Sequence, residues 1–309
     1  MNVKRMLQTA VVATGLVFSG VGVNGEVPSD PRAVAPLKTR MYDVFPDGQI
    51  GYVAVTSGLR IIDLSKVPDT PEIASIVLPH AATAVVALDG VAFVAHGPAG
   101  VSAVSTNRAD SPSIIATIDT PGSAMMVDIA DDILAVADGS AGLTVIDVSD
   151  PSAPRRTAKG QWDSYVRGAR FYLHELYVCA GKTGVVVMEI DTEGKPQILG
   201  STKTAGDARD ICFGGQRAFV ADGKHGITAI DVSDAKAPRV LSTAPVKDLA
   251  HGIAVNERKT TIYVADGLDG IGVFNVDNSG GLTLIRQTDT EGGYANKVAV
   301  SDNRLFVAN

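Results

Sequence analysis

The chain reads as an all-β protein, a β-propeller of four-stranded blades. Three observations predict it. Glycines recur at Gly58, Gly100, Gly142, Gly184, Gly226 and Gly270, spaced 42, 42, 42, 42 and 44 residues apart, and a period of about 40–45 residues is the sequence mark of propeller blades. Each interval holds four short runs rich in β-branched residues, with Gly, Asp, Ser and Pro between them. After residue 25 no stretch shows a convincing helical period. The count is expected to be seven blades with an incomplete last one, with six blades as the alternative.

The chain has 309 residues, 45% hydrophobic, with a formal charge of −7. Residues 1–25 read as an export signal. Lys4 and Arg5 form a short basic start, no charge follows from Met6 to Gly25, and Val23-Asn24-Gly25 places small residues before Glu26. An uncleaved anchor is the other reading, but the stretch carries Gln8, Thr9, Thr14 and Ser19 and is thin for a membrane span. The expected location is therefore periplasmic or secreted. Removing the segment takes away two cations and moves the formal charge from −7 to −9. Such an acidic protein repels phosphate backbones, so no nucleic-acid partner is expected. No later segment is apolar enough to cross a membrane.

Residues 26–40 form an N-terminal segment. Ser29-Asp-Pro-Arg-Ala-Val-Ala-Pro-Leu-Lys-Thr39 resembles the link into a fourth strand and could close the ring, removing open sheet edges. Residues 41–309 form one propeller domain. Each unit opens on an apolar run such as Met126-Val-Asp-Ile129, followed by a Tyr/Phe-Val-Ala run such as Tyr263-Val-Ala265. The third strand is a Leu-x-Val-Ile-Asp run, and the fourth follows a proline, as in Arg239-Val-Leu-Ser242. The glycines suit tight connections that require positive φ, and the aspartate and Ser-Asp-Pro after Val-Ile are turn formers. Six units run to about residue 292. A seventh begins at Asn296-Lys-Val-Ala-Val300 and Arg304-Leu-Phe-Val-Ala308, leaving a three-stranded last blade or a longer natural product. Cys179 and Cys212 lie in apolar strand-like runs; export would permit a disulfide, but two buried free thiols are the favoured expectation.

Three third-strand runs, Leu59-Arg-Ile-Ile-Asp63, Leu143-Thr-Val-Ile-Asp147 and Ile227-Thr-Ala-Ile-Asp231, together with the Ala-Asp-Gly turns before two of them, resemble the LVIVD-repeat family. The resemblance covers nearly all of residues 41–309. It implies a β-propeller of a kind found largely on exported proteins, and no shared reaction. Trp162-Asp163 falls in a connection, where the Trp-Asp repeat family would not place its signature.

Familiar catalytic spacings are absent: there is no His-Glu-x-x-His, Cys-x-x-Cys, P-loop or Gly-x-Ser-x-Gly. The one Gly-x-Gly-x-x-Gly, at Gly20–Gly25, lies inside the export signal. No cofactor or metal site is expected. The repeat itself supplies a better search, because equivalent positions in successive blades form rings in space. The column at the start of the first strand reads Met41, Thr83, Met125, Arg167, Arg209, His251 and Asn296. First strands line the central channel, so Arg167, Arg209, His251 and Asn296 are expected to form a polar arc at a channel mouth. The turn between second and third strands contributes His96, Asp138, Asp222, Asp266 and Asn309 on the same face.

Together these residues would suit a carboxylate, phosphate or sugar ligand. The competing reading is that Arg209 and its equivalents pair with turn aspartates such as Asp222 and staple blades together. His174, His225, Lys203, Lys224 and Lys247 read as exposed or ordinary solvated residues. The expected function is an exported, non-catalytic scaffold that binds a ligand, or a protein or glycan partner, on one face. The alternative is a channel-mouth hydrolase or lyase of lactonase type, which would need several acids or histidines converging on the channel; the first-strand column offers one His and no acid.

Overall fold

A computed structural model describes residues 19–20, 40–66, 70–160, 165–290, 293–302 and 304–309. Six four-stranded antiparallel sheets span 41–77, 84–118, 126–160, 168–202, 210–244 and 252–288, each with its strands in chain order. They are blades 1 to 6. The first strand of each blade packs beside the first strand of the next, which makes the ring of a β-propeller.

The complete blades number six, which matches the alternative count; the expected seven blades with an incomplete last one overcount by the unit that follows blade 6. After blade 6 comes a three-stranded sheet of Lys297–Ser301, Arg304–Ala308 and the short strand Ser19–Gly20. Lys297–Ser301 packs between the first strands of blades 6 and 1, so this sheet closes the ring. Met41 N donates to Asn309 O at 3.4 Å, and an Arg304 guanidinium nitrogen donates to Leu64 O at 2.8 Å. The expected closing segment, 26–40, lies outside the described residues except for Arg40, as does Trp162-Asp163.

Alternating side chains of the inner three strands fill the space between neighbouring blades. Tyr177, Phe219, Tyr263, Phe274 and Phe306 are among the largest fully buried side chains, and burying apolar area of this kind is the main favourable term in folding. Fourth strands are mostly exposed, as in Arg239–Ala244. All six complete blades carry a register shift at one place between third and fourth strands, for example between Val145 and Ile146 and between Ala229 and Ile230; bulges of this kind increase local twist. All six repeat glycines adopt positive φ. Cys179 and Cys212 are free thiols. No helix among the described residues is long and apolar enough to cross a membrane.

Candidate ligand site at the channel mouth

The turn column and the first-strand column are joined by backbone. Gly97, Gly139, Gly181, Gly223 and Gly267, in the turns between second and third strands, form isolated bridges to Ala124, Val166, Ala208, Ala250 and Ala295, each just before the first strand of the following unit. Close approach within the channel also needs small residues. A Cβ on Gly168 would stand 2.6 Å from Arg209 O and 3.2 Å from Met126 Sδ.

This framework gathers the first-strand column around a cavity of about 300 Å³, lined by Thr83, Met125, Arg167, Arg209, His251 and Asn296 among others. Blade 1 departs from the expected alignment. A bulge between Met41 and Asp43 inserts Tyr42; Tyr42 lines the cavity, while Met41 is fully buried with Phe306 and Ala308.

The polar arc is an ordered network. Asp207 accepts from Arg167 Nε at 3.1 Å and from an Arg209 guanidinium nitrogen at 3.0 Å. Another Arg209 nitrogen lies 3.3 Å from His251 Nδ1, and His251 Nε2 is within hydrogen-bond reach of the Tyr294 hydroxyl at 2.5 Å. Because guanidinium only donates, Nδ1 accepts, and Nε2 carries the proton and donates to Tyr294. Burial, reinforced by the Arg209 charge, pushes the His251 pKa down to about 4, so the ring is neutral at pH 7. Arg167 also stacks over Tyr165, 4.7 Å from its centroid, and Asn296 Nδ2 donates to Tyr294 O at 3.0 Å. Two guanidiniums thus share the Asp207 carboxylate, and the cavity they line also carries Lys297, Asp43 and Asp210.

The turn residues do not join them. Asp138, Asp222, Asp266 and His96 are all 0% exposed, and none lines the cavity. Asp222 accepts from Thr204 and Thr228 hydroxyls at 2.7 and 3.0 Å and from Gly206 N at 3.0 Å. Asp138 repeats the arrangement with Thr120, Thr144 and Gly122 N. Asp266 accepts from the backbone of Lys247, Asp248 and Leu249 and from Gln287. His96 Nε2 lies 2.8 Å from Ser102 Oγ. Asp138, Asp222 and Asp266 thus hold the link that enters their blade from the one before it, and His96 stays with Ser102 of its own third strand. The pairing of Arg209 with Asp222 does not form either; its partner is Asp207.

Asp207, Tyr165 and Tyr294 escaped the sequence reading. They occupy one column, two residues before the mouth column, whose other members include Ser123 and Leu249; that variability was the available signal. A second missed feature closes the channel below the mouth. Lys297 Nζ lies 2.7 Å from Asp210 Oδ2, and Arg170 stands 3.6 Å from Asp128 and 3.9 Å from Asp210. Burial alone would raise the Asp210 carboxyl, but Lys297 and Arg170 outweigh it and hold its pKa low; burial prevails at Asp43 and Asp128, whose pKa values are raised. Beyond this cluster lies a second vestibule of about 440 Å³ with Phe171, Tyr172 and Phe213 in its wall. Among the described residues no three His, Cys, Asp or Glu side chains converge as a metal site.

Ring and mouth together define a β-propeller with a polar site at one end of its channel. Residues 121–158 and 205–243 match the family model of the LVIVD repeat, so the chain carries LVIVD repeats, in blades 3 and 5. No curated protein matches the sequence. Solved structures share the fold. A "putative 6-phosphogluconolactonase" from Bacteroides fragilis NCTC 9343 is 14% identical with a TM-score of 0.73, covering 87% of each chain. A protein from Lactobacillus plantarum is 16% identical with a TM-score of 0.70, covering 93% of this chain and 86% of its own. The WD40 β-propeller domain of Doa1 is 12% identical with a TM-score of 0.69, covering 88% of this chain and 94% of its own.

Proposed function

We propose that the chain is an exported, non-catalytic β-propeller that binds an anionic ligand at the mouth formed by Arg167, Arg209, His251 and Asn296. The observation that carries this reading is the guanidinium pair: Arg167 and Arg209 share the carboxylate of Asp207 and line a cavity of about 300 Å³. A carboxylate or phosphate, free or on a glycan or protein partner, would accept from these guanidiniums through charge-assisted hydrogen bonds. The basic, then uncharged, N-terminal 25 residues support export, and N-terminal sequencing of the mature chain should find a start near Glu26.

The hydrolase alternative draws on propellers that bear an enzyme's name, a likeness of fold alone. It fits His251 poorly, because Arg209 and Tyr294 occupy both ring nitrogens and leave no free base. The test combines Arg167→Gln, Arg209→Gln and His251→Gln and titrates gluconate, a hydroxylated monocarboxylate, by calorimetry at low ionic strength. The triple variant should lose gluconate binding by at least about tenfold, the effect of one charge-assisted bond, and stay folded. A lowered melting temperature with unchanged gluconate binding would sink the reading and favour a purely structural network. Hydrolysis of gluconolactone by the unaltered chain above the buffer rate would favour the enzyme instead.

A further inference from the structure

Beside the mouth, and sharing Arg209 with it, lies a second depression of about 510 Å³. Lys182, Lys203, Lys224 and His225 stand on its rim, so Lys203 and Lys224, which read as ordinary solvated charges in the sequence, are brought to one place with Lys182. The repeat explains how. Lys182 in Gly181-Lys-Thr-Gly184 and Lys224 in Gly223-Lys-His-Gly226 hold the same turn position 42 residues apart, and one blade-to-blade rotation sets them side by side. Lys203 reaches the same rim just after the fourth strand of blade 4, Pro196–Thr202. Blades 3 and 6 carry Ser140 and Leu268 at that turn position, so the cationic rim is confined to blades 4 and 5.

The charge balance is one-sided. Lys182, Lys203, Lys224 and Arg209 line the depression against one carboxylate, Asp207, and that carboxylate is already engaged by Arg167 and Arg209. This stands in a chain whose formal charge is −7, so the patch departs from the charge of the whole. The two ends differ in chemistry. Partly buried guanidiniums offer directed donors at the mouth, while exposed lysines offer mobile point charges that accept carboxylate or phosphate alike. Both hollows are concave and meet at Arg209, which suits a compact ligand better than a broad macromolecular face.

We propose that the mouth and the lysine depression form one bipartite site for a small organic polyanion, with one anionic group at Arg167 and Arg209 and another among Lys182, Lys203 and Lys224. The inference rests on the mouth being a ligand site and adds that its ligand carries at least two carboxylate or phosphate groups.

Calorimetric titrations of the full chain with gluconate, citrate and pyrophosphate test it, alongside the combined Lys182→Gln, Lys203→Gln and Lys224→Gln variant. The three lysines are exposed, so the variant should melt with the unaltered protein. Citrate or pyrophosphate should bind the unaltered chain at least about tenfold more tightly than gluconate, as one additional charge-assisted contact would give. The lysine variant should lose that gain and keep its gluconate affinity. Preference for citrate over pyrophosphate, or the reverse, identifies carboxylate or phosphate as the second group. Gluconate binding with no gain for either polyanion, or a gain that survives in the lysine variant, would overturn the bipartite site and leave the mouth reading standing. Loss of gluconate binding from the unaltered chain would remove both. Binding of hexaglutamate but of neither small polyanion would overturn the proposal in favour of an acidic protein partner.

Discussion

Asp222 and His251 sit in neighbouring columns of the same face and do different work. Asp222 accepts from donors of its own third strand and of the link from blade 4, and satisfying such buried groups matters because leaving one unpaired is costly. His251 faces the cavity and is kept neutral by burial and by Arg209. The sign of its pH effect follows. Its folded pKa, about 4, lies below the ordinary histidine value of 6.5, so between those values the unfolded chain binds a proton that the folded chain refuses. The stability linked to His251 is complete above pH 6.5 and is lost as the pH falls toward 4. Calorimetric melting should show a His251→Asn variant losing less stability than the unaltered chain between pH 7 and 4.5, by on the order of 1–3 kcal/mol. Equal losses in the two proteins would contradict the assigned burial. The sequence placed His251 in the correct ring but could not reveal its neutrality, which comes from burial in the folded ring and from Arg209, 42 residues away.

Among the elements, the tight connection before each third strand decides whether a blade forms. Gly226 shows why glycine recurs there. Its φ is +85°, and a Cβ would meet Ala244 O at 2.1 Å and Pro245 Cα at 2.8 Å. Gly226→Ala therefore combines an unfavourable backbone conformation with a clash against the fourth strand, and neither neighbour is a flexible side-chain end. Chemical denaturation should show a loss of at least about 2 kcal/mol; a loss under about 0.5 kcal/mol would mean that the turn relaxes freely. The glycine beat exposed this requirement directly. It did not expose the blade 1 bulge that substitutes Tyr42 for Met41 at the mouth, because that strand precedes Gly58, the first closing glycine, and lies outside every interval between them.

For the whole molecule, the closing sheet holds blade 6 against blade 1. Phe306, fully buried, packs among Met41, Val44 and Val53 of blade 1, so its removal opens a cavity at the ring junction. Phe306→Ala should lower global stability by about 3–5 kcal/mol. If the variant unfolds on expression, Phe306→Leu should survive and lose less; unchanged denaturation of Phe306→Ala would show that the closing sheet is dispensable. The same ring brings Lys297 to Asp210 and Arg170 to Asp128, a cluster spanning the channel between residues far apart in the chain.

The sequence by itself determined the repeat, the four-stranded blade, the channel-lining column and the arc of Arg167, Arg209, His251 and Asn296, because each follows from periodicity and every blade repeats its geometry. Tertiary structure alone decided the partners. Asp207 takes both arginines, the turn aspartates hold the links between blades, and Lys182, Lys203 and Lys224 gather beside the mouth. The physical reason is that a column fixes where a side chain starts, while the curvature of the ring and competition among donors and acceptors decide where its charge ends.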